Sequence, residues 1–261
     1  MGIINVTPDS FSDGGETADH ANAIRRGREM VAAGARILDI GGESTRPGAP
    51  SVSIPEELDR VLPVIEALRG VDAVISIDTR HPEVMTAAIE AGAGVINDVT
   101  ALTHDPNSVN VAAGLNVPVI LMHMQGEPGT MQANPRYDDA PLEVRDYLRA
   151  RIEICKAAGI SESLIAVDPG IGFGKSVDHN LQILKRLDLL VELECPVVLG
   201  VSRKSFIGKV AGGEHPQDRL AGSLACAVAA RAQGVQIYRV HDVGETVQAL
   251  AVFDAISDVK S

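Results

Sequence analysis

The sequence lacks any uninterrupted apolar run of the length that a membrane-spanning helix needs, which is about 18 residues. Apolar residues nevertheless make up 45% of its 261 positions, so the chain has enough of them for a large core. No basic segment followed by an apolar one opens the sequence, and we therefore expect no signal peptide. These absences predict a globular domain rather than a membrane protein.

Cysteine is scarce, and the sequence has no net positive charge. The three cysteines, Cys155, Cys195 and Cys226, form no C-x-x-C pair and are typical of small buried side chains in a reducing compartment. We therefore expect a cytoplasmic protein. The formal net charge of −12 argues against general nucleic-acid binding. It does not exclude a small anionic substrate, because the local charge at a site can be opposite in sign to the net charge of the protein.

What the sequence has instead is a series of eight short apolar runs, most of which end on a polar or charged residue. Helical patterns lie between them, and this alternation predicts parallel strands joined by crossover helices. Strands that are buried on both faces consist of continuous Val, Ile and Leu. Eight such strands in a chain of this length predict an α/β protein, a (β/α)8 TIM barrel with a single domain over 1–261. The runs lie in GIINVTPDS, RILDIGGESTRPG, VISIDT, VINDV, VILMHMQG, LIAVDPG, VVLGVSRKS and IYRVHD.

Apolar residues at helical spacing predict the crossover helices. The predicted segments are 21–33, 54–68, 82–91, 142–158, 178–190, 218–233 and 243–257, with a weaker helix around 105–114. Longer loops are predicted at 7–19, 41–53, 124–141 and 202–217. All four follow strands and therefore belong to the C-terminal side of the barrel, where long loops are usually functional.

Polar residues at the ends of barrel strands converge on one mouth, which is where the active site of a barrel enzyme lies. Arg239 and His241 follow strand 8 two residues apart, so their side chains leave the strand on the same side. Phosphate sites near strands 7 and 8 recur in barrels, which makes this pair a candidate anion site. The full set of predicted mouth residues is Asn5, Thr45, Asp78, Asn97, His123, Asp168, Lys204, Arg239 and His241.

The motifs at these strand ends resemble, in order and spacing, those of the dihydropteroate synthase family, the folate-pathway enzymes that sulfonamides inhibit. The resemblance covers essentially the whole chain. It rests on MGIINVTPDSFSDGG, GGESTRPG, SIDT, IND, MHMQG, DPGIGFGK, SRKS and RVHDV. It implies a Mg²⁺-dependent transferase that joins 6-hydroxymethyl-7,8-dihydropterin diphosphate to 4-aminobenzoate and releases 7,8-dihydropteroate and diphosphate. It also implies a homodimer formed through helices on the side of 218–233.

The resemblance implies three groups of binding residues. The pterin pocket would contain Asp78, Asn97, Met122, Asp168, Phe173 and Lys204. Asn5, Thr45, Arg239 and His241 would bind the diphosphate, with Asn5 also a ligand of Mg²⁺. The pocket for 4-aminobenzoate and sulfonamides would contain Phe11, Thr45, Arg46, Pro47, Phe173, Lys204 and Ser205. The residues expected to carry the reaction are Asp78, Lys204, Asn5, Arg239 and His241.

The chemistry of these residues suits that assignment. A pterin ring presents several donors and acceptors in one plane, and buried carboxylate and amide groups reject a ligand that leaves them unpaired. No Ser, Cys or Lys stands beside a paired base, so we predict direct substitution at the pterin methylene carbon without a covalent enzyme intermediate. The loops at 7–15 and 41–48 are glycine-rich at their ends and are expected to fold over bound substrate, with Asp9 near the diphosphate.

Other polar residues have simpler interpretations. His123 is expected to support the wall of the site, whereas Arg203 has two open roles, as a donor to loop carbonyls or to phosphate. Asp39, Glu43 and Asp98 are predicted to form buried pairs under the loops. The histidines predicted to be solvated are His20, His81, His104, His179 and His215.

Two departures from the family pattern and three alternatives stay open. Family members usually carry an N-terminal hairpin, whereas this sequence begins at strand 1; we expect that to affect stability more than chemistry. Ile171 replaces an aromatic residue, which we interpret as a packing change. The alternatives are another pterin-binding barrel such as a methyltetrahydrofolate-binding methyltransferase, a catalytically silent homologue that binds pterin or a partner protein, and a sulfonamide-insensitive synthase. The first would not need Arg239 with His241, the second should have lost residues such as Asn5 or Lys204, and the third should be altered around Phe11 or Pro47.

Overall fold

The computed structural model describes residues 1–7, 16–44, 51–126, 130–213 and 215–259, in which strands and helices alternate. Every strand lies within one of the eight predicted runs. The strands are β1 (Gly2–Asn5), β2 (Ile37–Gly41), β3 (Val74–Asp78), β4 (Val95–Asp98), β5 (Val119–Met122), β6 (Ile165–Asp168), β7 (Val198–Leu199) and β8 (Ile237–Tyr238).

The helices follow the strands as predicted, with three corrections. The first helix begins at Glu16, inside the predicted loop 7–19. The predicted helix 178–190 is divided in two because the chain leaves the helical conformation at Arg186, and the predicted loop 202–217 contains a short helix. No described helix is both long and apolar enough to cross a membrane. The helices are α1 (Glu16–Ala32), α2 (Ile54–Leu68), α3 (Pro82–Ala91), α4 (Ser108–Leu115), α5 (Ala140–Ala157), α6 (Val177–Lys185), α7 (Asp188–Val191), α8 (Ser205–Ala211), α9 (Leu220–Arg231) and α10 (Val243–Ser257).

The strands form a closed parallel barrel. β1 to β6 pair in sequence order, and β7 pairs with β8. A bridge between Val167 and Val197 joins β6 to β7, and a bridge between Gly2 and Val240 joins β8 to β1. The Ile3 N–H donates to the Val240 carbonyl at 3.0 Å, so backbone hydrogen bonds continue around the ring. The predicted (β/α)8 barrel is therefore confirmed.

Two apolar clusters account for the strand sequences. The larger lies between the barrel and its helices and includes Leu38, Ile77 and Leu121. Because successive strand residues point to opposite faces, the other positions point into the barrel. There the second cluster fills the interior with Val95, Ile120 and Val198, against which Met1, Ala166 and Ile237 pack. This cluster forms the floor of the mouth.

Candidate active site

A polar layer lies directly above the apolar floor, and strand periodicity places it there. Asn97, Met122, Asp168 and Arg239 each follow a floor residue by two positions on the same strand, so they point into the barrel. Met122 pairs in register with Asp168 on the neighbouring strand. Asp78 lies opposite Asn97 in the same way. The structure thus brings together the predicted pterin residues of strands 3 to 6.

Asp39 is the central residue of this layer. It is fully buried and accepts three hydrogen bonds, from Ser76 Oγ at 2.7 Å, Asn97 Nδ2 at 3.0 Å and Arg239 Nε at 2.6 Å. Since the amide nitrogen of Asn97 donates to Asp39, the amide orientation of Asn97 is fixed. The predicted buried pairing of Asp39 is confirmed, but its role as the hub that orients Asn97 and Arg239 was missed. The sequence signal was an acid in the middle of an apolar strand.

Arg239 spans the mouth from β8 to two acidic residues. Its Nη2–H donates to Asp78 Oδ2 at 2.6 Å, in addition to the bond to Asp39. One guanidinium therefore faces two buried carboxyl groups. Burial raises the pKa of Asp78 to about 7, while Arg239 opposes this shift and Asp39 adds to it.

The raised pKa of Asp78 predicts a pH-dependent stability. An ordinary Asp in the unfolded chain loses its proton near pH 4, whereas folded Asp78 keeps it up to about pH 7. Between these values the folded state binds more protons, so this group makes the free energy of unfolding fall as pH rises. We expect Asp78→Asn to flatten the decrease in stability between about pH 4 and about pH 7, measured by urea unfolding. Asp178→Asn, on the exposed start of α6, is the matched control; equal slopes for wild type and Asp78→Asn would contradict this assignment.

Lys204 and Phe173 form the side of the mouth next to Asp168. Lys204 Nζ donates to the carbonyl of Ile171 and lies 4.4 Å from the centroid of the Phe173 ring. Burial lowers the pKa of Lys204 to about 8, an effect that Asp168 opposes. Burial likewise raises the pKa of Asp168, and Lys204 opposes that. Asp168 Oδ1 also accepts from the Gly170 N–H at 2.7 Å, which fixes the carboxyl orientation.

His241 lies at the end of β8, where Ser202 orients it. The Ser202 hydroxyl accepts from the His241 backbone N–H at 3.1 Å and lies 3.0 Å from Nδ1. A hydroxyl donor at Nδ1 favours the tautomer with the hydrogen on Nε2. Burial, with Arg203 and Arg239 nearby, lowers the pKa of His241 to about 4, so the ring is neutral at pH 7. Sequence reasoning missed Ser202, which lies in the SRKS motif.

The remaining described site residues lie at the rim. Asn5 ends β1 and is partly exposed, and Ser205 is the exposed first residue of α8. Arg203 forms a bidentate ion pair with Asp242. Among the described residues, its side chain therefore has neither of the two roles considered above, as a donor to loop carbonyls or to phosphate. Four predicted site residues, Phe11, Thr45, Arg46 and Pro47, lie outside the described residues, as does Asp9.

Glu43, Asp98 and two of the histidines have defined partners in the described part of the chain. Glu43 forms a bidentate pair with Arg80 at 2.8 and 3.0 Å, as its predicted pairing required. Asp98 instead accepts from Thr100 and from the Leu102 N–H, and so caps the turn after β4. The prediction of solvated histidines is wrong for two of them. His81 bonds the buried Glu57 at 2.7 Å, and His179 completes the cap of α6 with Ser176.

Among the described residues, no group of three or more His, Cys, Asp or Glu side chains could hold a metal ion. Mg²⁺ prefers oxygen ligands and often takes one or two from the protein and the rest from substrate phosphates and water. The side-chain oxygen of Asn5, at the rim beside β8, fits such a site.

Comparison with known proteins defines the class of this site. The family model of pterin binding enzymes matches residues 1–241. The dihydropteroate synthase of Escherichia coli strain K12 is 49% identical over 261 residues, which cover all of this chain and 92% of the relative. The chain therefore belongs to the pterin binding enzymes and, within them, to the dihydropteroate synthase family.

Solved structures agree with this membership. The Yersinia pestis dihydropteroate synthase, in complex with a sulfonamide drug, has a TM-score of 0.94 and 48% identity, and the match covers 99% of this chain and 94% of that one. The Xanthomonas albilineans dihydropteroate synthase in complex with 7,8-dihydropteroate has a TM-score of 0.91 and 46% identity, over 100% of this chain and 94% of that one. Both relatives hold their ligands on a fold that this chain shares.

Proposed function

We propose that the chain condenses 6-hydroxymethyl-7,8-dihydropterin diphosphate with 4-aminobenzoate to give 7,8-dihydropteroate and diphosphate, as a single barrel domain over 1–261. The observation that carries this proposal is the polar layer above the apolar floor. It combines two carboxyl groups, an amide, an ammonium group and a guanidinium in one mouth. A flat heterocycle that bears an anionic group needs this combination. A chain that is 49% identical to a dihydropteroate synthase over its full length supports the same reaction.

The pterin ring would lie between Asp78, Asn97, Asp168 and Lys204, with Met122 against one face. Asp78 uses one carboxyl oxygen for Arg239, and Asp168 uses one for the Gly170 N–H, so each keeps another oxygen for ring N–H groups. Lys204 supplies donors to ring carbonyl and nitrogen acceptors. Such buried groups give discrimination because a ligand without matching hydrogen bonds leaves them unpaired.

The diphosphate would bind at Asn5, Arg239 and His241, with Thr45 from outside the described residues. The bonds to Asp39 and Asp78 use two of the five guanidinium N–H groups, so three are left to point at phosphate oxygens. His241 would add its Nε2–H. Asn5 would hold Mg²⁺, which supplies charge neutralisation for the departing diphosphate when bound.

The reaction that fits these groups is substitution at the pterin methylene carbon. The carbon–oxygen bond to the diphosphate breaks as the amine nitrogen of 4-aminobenzoate forms a carbon–nitrogen bond, and the amine then loses a proton to water. Arg239 and His241 would stabilise the charge on the leaving oxygen. Electron release from the dihydropterin ring would stabilise positive charge at the carbon, assisted by Asp78 as a hydrogen-bond acceptor.

The 4-aminobenzoate would lie at the rim, against Phe173, Lys204 and Ser205. Phe11, Thr45, Arg46 and Pro47 would complete this pocket from the two loops outside the described residues. The relative from Yersinia pestis was solved in complex with a sulfonamide drug, which supports sulfonamides as inhibitors of this chain. The three free cysteines support a cytoplasmic location.

A coupled assay for diphosphate release tests the function. We expect release to require 4-aminobenzoate as well as the pterin diphosphate, and mass spectrometry should identify 7,8-dihydropteroate. A pterin-binding methyltransferase or a silent homologue would release no diphosphate in either condition. Asp168→Asn and Asp178→Asn form a matched pair for this assay, because the first carboxyl group lies in the mouth and the second is exposed on α6.

We expect a homodimer, and the outer faces of α9 and α10 support it. The two helices lie side by side and are joined by the pair of Arg231 with Asp254. Val252 and Ile256 on α10 are 55% and 69% exposed, which is typical of a face that associates. Light scattering at micromolar concentration should give twice the mass of the chain. Val252→Glu with Ile256→Glu should give the monomer, whereas Ile154→Glu, on the exposed face of α5, should not; a monomeric wild type would contradict the proposal.

A further inference from the structure

Lys175 is a buried lysine that the proposed reaction does not use. Only 3% of it is exposed, and its Nζ lies beneath the turn that joins β6 to α6. Four acceptors surround it: His123 Nδ1 at 2.9 Å and the carbonyls of Phe173 at 2.9 Å, Gly170 at 3.0 Å and His123 at 3.2 Å. The lysine thus ties the turn to the residue that follows β5.

The four acceptors around Lys175 Nζ require N–H donors from the amine. Burial lowers the pKa of His123 to about 3, so its ring is neutral. In the tautomer with the hydrogen on Nε2, Nδ1 accepts from the lysine. Burial also lowers the pKa of Lys175 well below its usual value, while Asp168 raises it. Four acceptors favour the protonated amine, because only the ammonium has three N–H groups and no lone pair turned toward a carbonyl.

The turn itself is shaped for close approach to β5. Gly170, Gly172 and Gly174 all have left-handed φ values, of 64°, 85° and 60°. A side chain on Gly170 or Gly174 would overlap the carbonyl oxygen of His123 or Gln125. The backbone is therefore pressed against the strand end, and its inward-facing carbonyls are satisfied by Lys175.

The outer side of the same turn forms part of the proposed substrate site. Its Ile171 carbonyl accepts from Lys204, its Phe173 ring lies 4.4 Å from Lys204 Nζ, and its Gly170 N–H bonds Asp168. Lys175 holds the carbonyls of Gly170 and Phe173 on either side of Ile171. A shift of the turn would move Phe173 and the Lys204 acceptor together.

We propose that Lys175, bonded to His123, is a positioning residue that fixes the turn 170–174 so that Phe173 and Lys204 form the junction between the pterin and 4-aminobenzoate pockets. This inference rests on the proposed function. Lys175 touches no substrate, since it lies under the turn. Its removal should therefore affect 4-aminobenzoate, which lies against Phe173 and Lys204, more than the pterin ring. The pterin ring keeps Asp78, Asn97 and Asp168, which lie on strands that the lysine does not contact.

The test compares Lys175→Met with wild type and with Lys185→Met, an exposed lysine on α6. We expect kcat/KM for 4-aminobenzoate to fall by about 10- to 100-fold in Lys175→Met, because small displacements of positioning groups have effects of this size. The calorimetric Kd of 6-hydroxymethyl-7,8-dihydropterin should change by less than about threefold, and Lys185→Met should match wild type. Equal losses for both ligands would overturn the proposal, as would an unchanged kcat/KM.

A double-variant cycle shows whether the lysine acts through Phe173. If it does, Lys175→Met should cost little more in a Phe173→Leu background, whereas additive losses would refute the coupling. If Lys175→Met does not fold, Lys175→Gln keeps two N–H donors and gives the same comparison with the same refuting outcomes. Wild-type turnover tests the proposed function. The change from wild type to Lys175→Met in kcat/KM for 4-aminobenzoate, set against the pterin Kd, tests Lys175, so the two failures are distinguishable.

Discussion

Replacing Arg239 by methionine is expected to lower the free energy of unfolding by about 3–5 kcal/mol, because it leaves two buried carboxyl groups without their cation. Asp39 is fully buried, Asp78 nearly so, and both accept from Arg239 at 2.6 Å. Unfolding in guanidinium chloride, monitored by circular dichroism, measures this loss of stability. It should shrink as pH falls, since a protonated carboxyl group no longer needs a partner.

Two further variants show whether unpaired charge is the cause. Arg231→Met removes a bidentate pair with Asp254 whose side chains are 38% and 41% exposed, and should cost no more than about 1 kcal/mol. Adding Asp78→Asn to Arg239→Met removes one of the two carboxyl groups left without a cation and should restore part of the stability. Equal losses for the two arginine variants would mean that the buried charges do not set the stability of the mouth.

The same arginine should distinguish two ligands. If Arg239 binds the leaving group, Arg239→Met should weaken binding of the pterin diphosphate far more than binding of the bare 6-hydroxymethyl-7,8-dihydropterin. Charge-assisted hydrogen bonds of this type are worth about 1.5–3 kcal/mol each. A comparable loss for both ligands in calorimetry would show that Arg239 acts through Asp39 and Asp78 alone.

The second large effect is expected from Asp168→Asn. Asparagine keeps the carbonyl oxygen that accepts from the Gly170 N–H at 2.7 Å, so the fold should persist. It lacks the charge that strengthens the hydrogen bond to the pterin ring, and affinity for 6-hydroxymethyl-7,8-dihydropterin should fall by about 1.5–3 kcal/mol. Lys204 would also lose the carboxylate that opposes the lowering of its pKa.

Calorimetry of Asp168→Asn beside Asp178→Asn measures this effect. Asp178 is an exposed residue in the first turn of α6, so its substitution controls for the loss of one negative charge. The account requires weak pterin binding in the first variant and wild-type binding in the second. Unchanged affinity in both would remove Asp168 from the pterin pocket.

The strands were predictable because buried parallel strands need continuous apolar sequence, and the sequence satisfies that requirement eight times. The split of the predicted helix 178–190 was not predictable, because its cause is distant in sequence. Gln233 accepts from the Leu187 N–H at 3.0 Å and donates to the Leu184 carbonyl at 2.9 Å. Its side chain thereby replaces the helical hydrogen bonds at the break, and no local pattern reveals it.

The candidate site was likewise predictable only in part. Strand periodicity and the motifs predict that Asp78, Asn97, Asp168 and Lys204 lie at one mouth. Neither indicated which groups satisfy one another, since a pairing such as Arg239 with Asp39 depends on barrel closure across 200 residues. Lys175 was missed for a related reason. Its motif position suggests a loop, and only the turned-in carbonyls show why a lysine is buried there.

A crystal structure of the protein with 6-hydroxymethyl-7,8-dihydropterin diphosphate tests the central claim most directly. The account predicts the pterin ring above the apolar floor, hydrogen-bonded to Asp78, Asn97, Asp168 and Lys204, with the diphosphate at Arg239 and His241. A pterin bound elsewhere, or a ring in the mouth that leaves Asp78 and Asp168 without hydrogen bonds to it, would contradict the account.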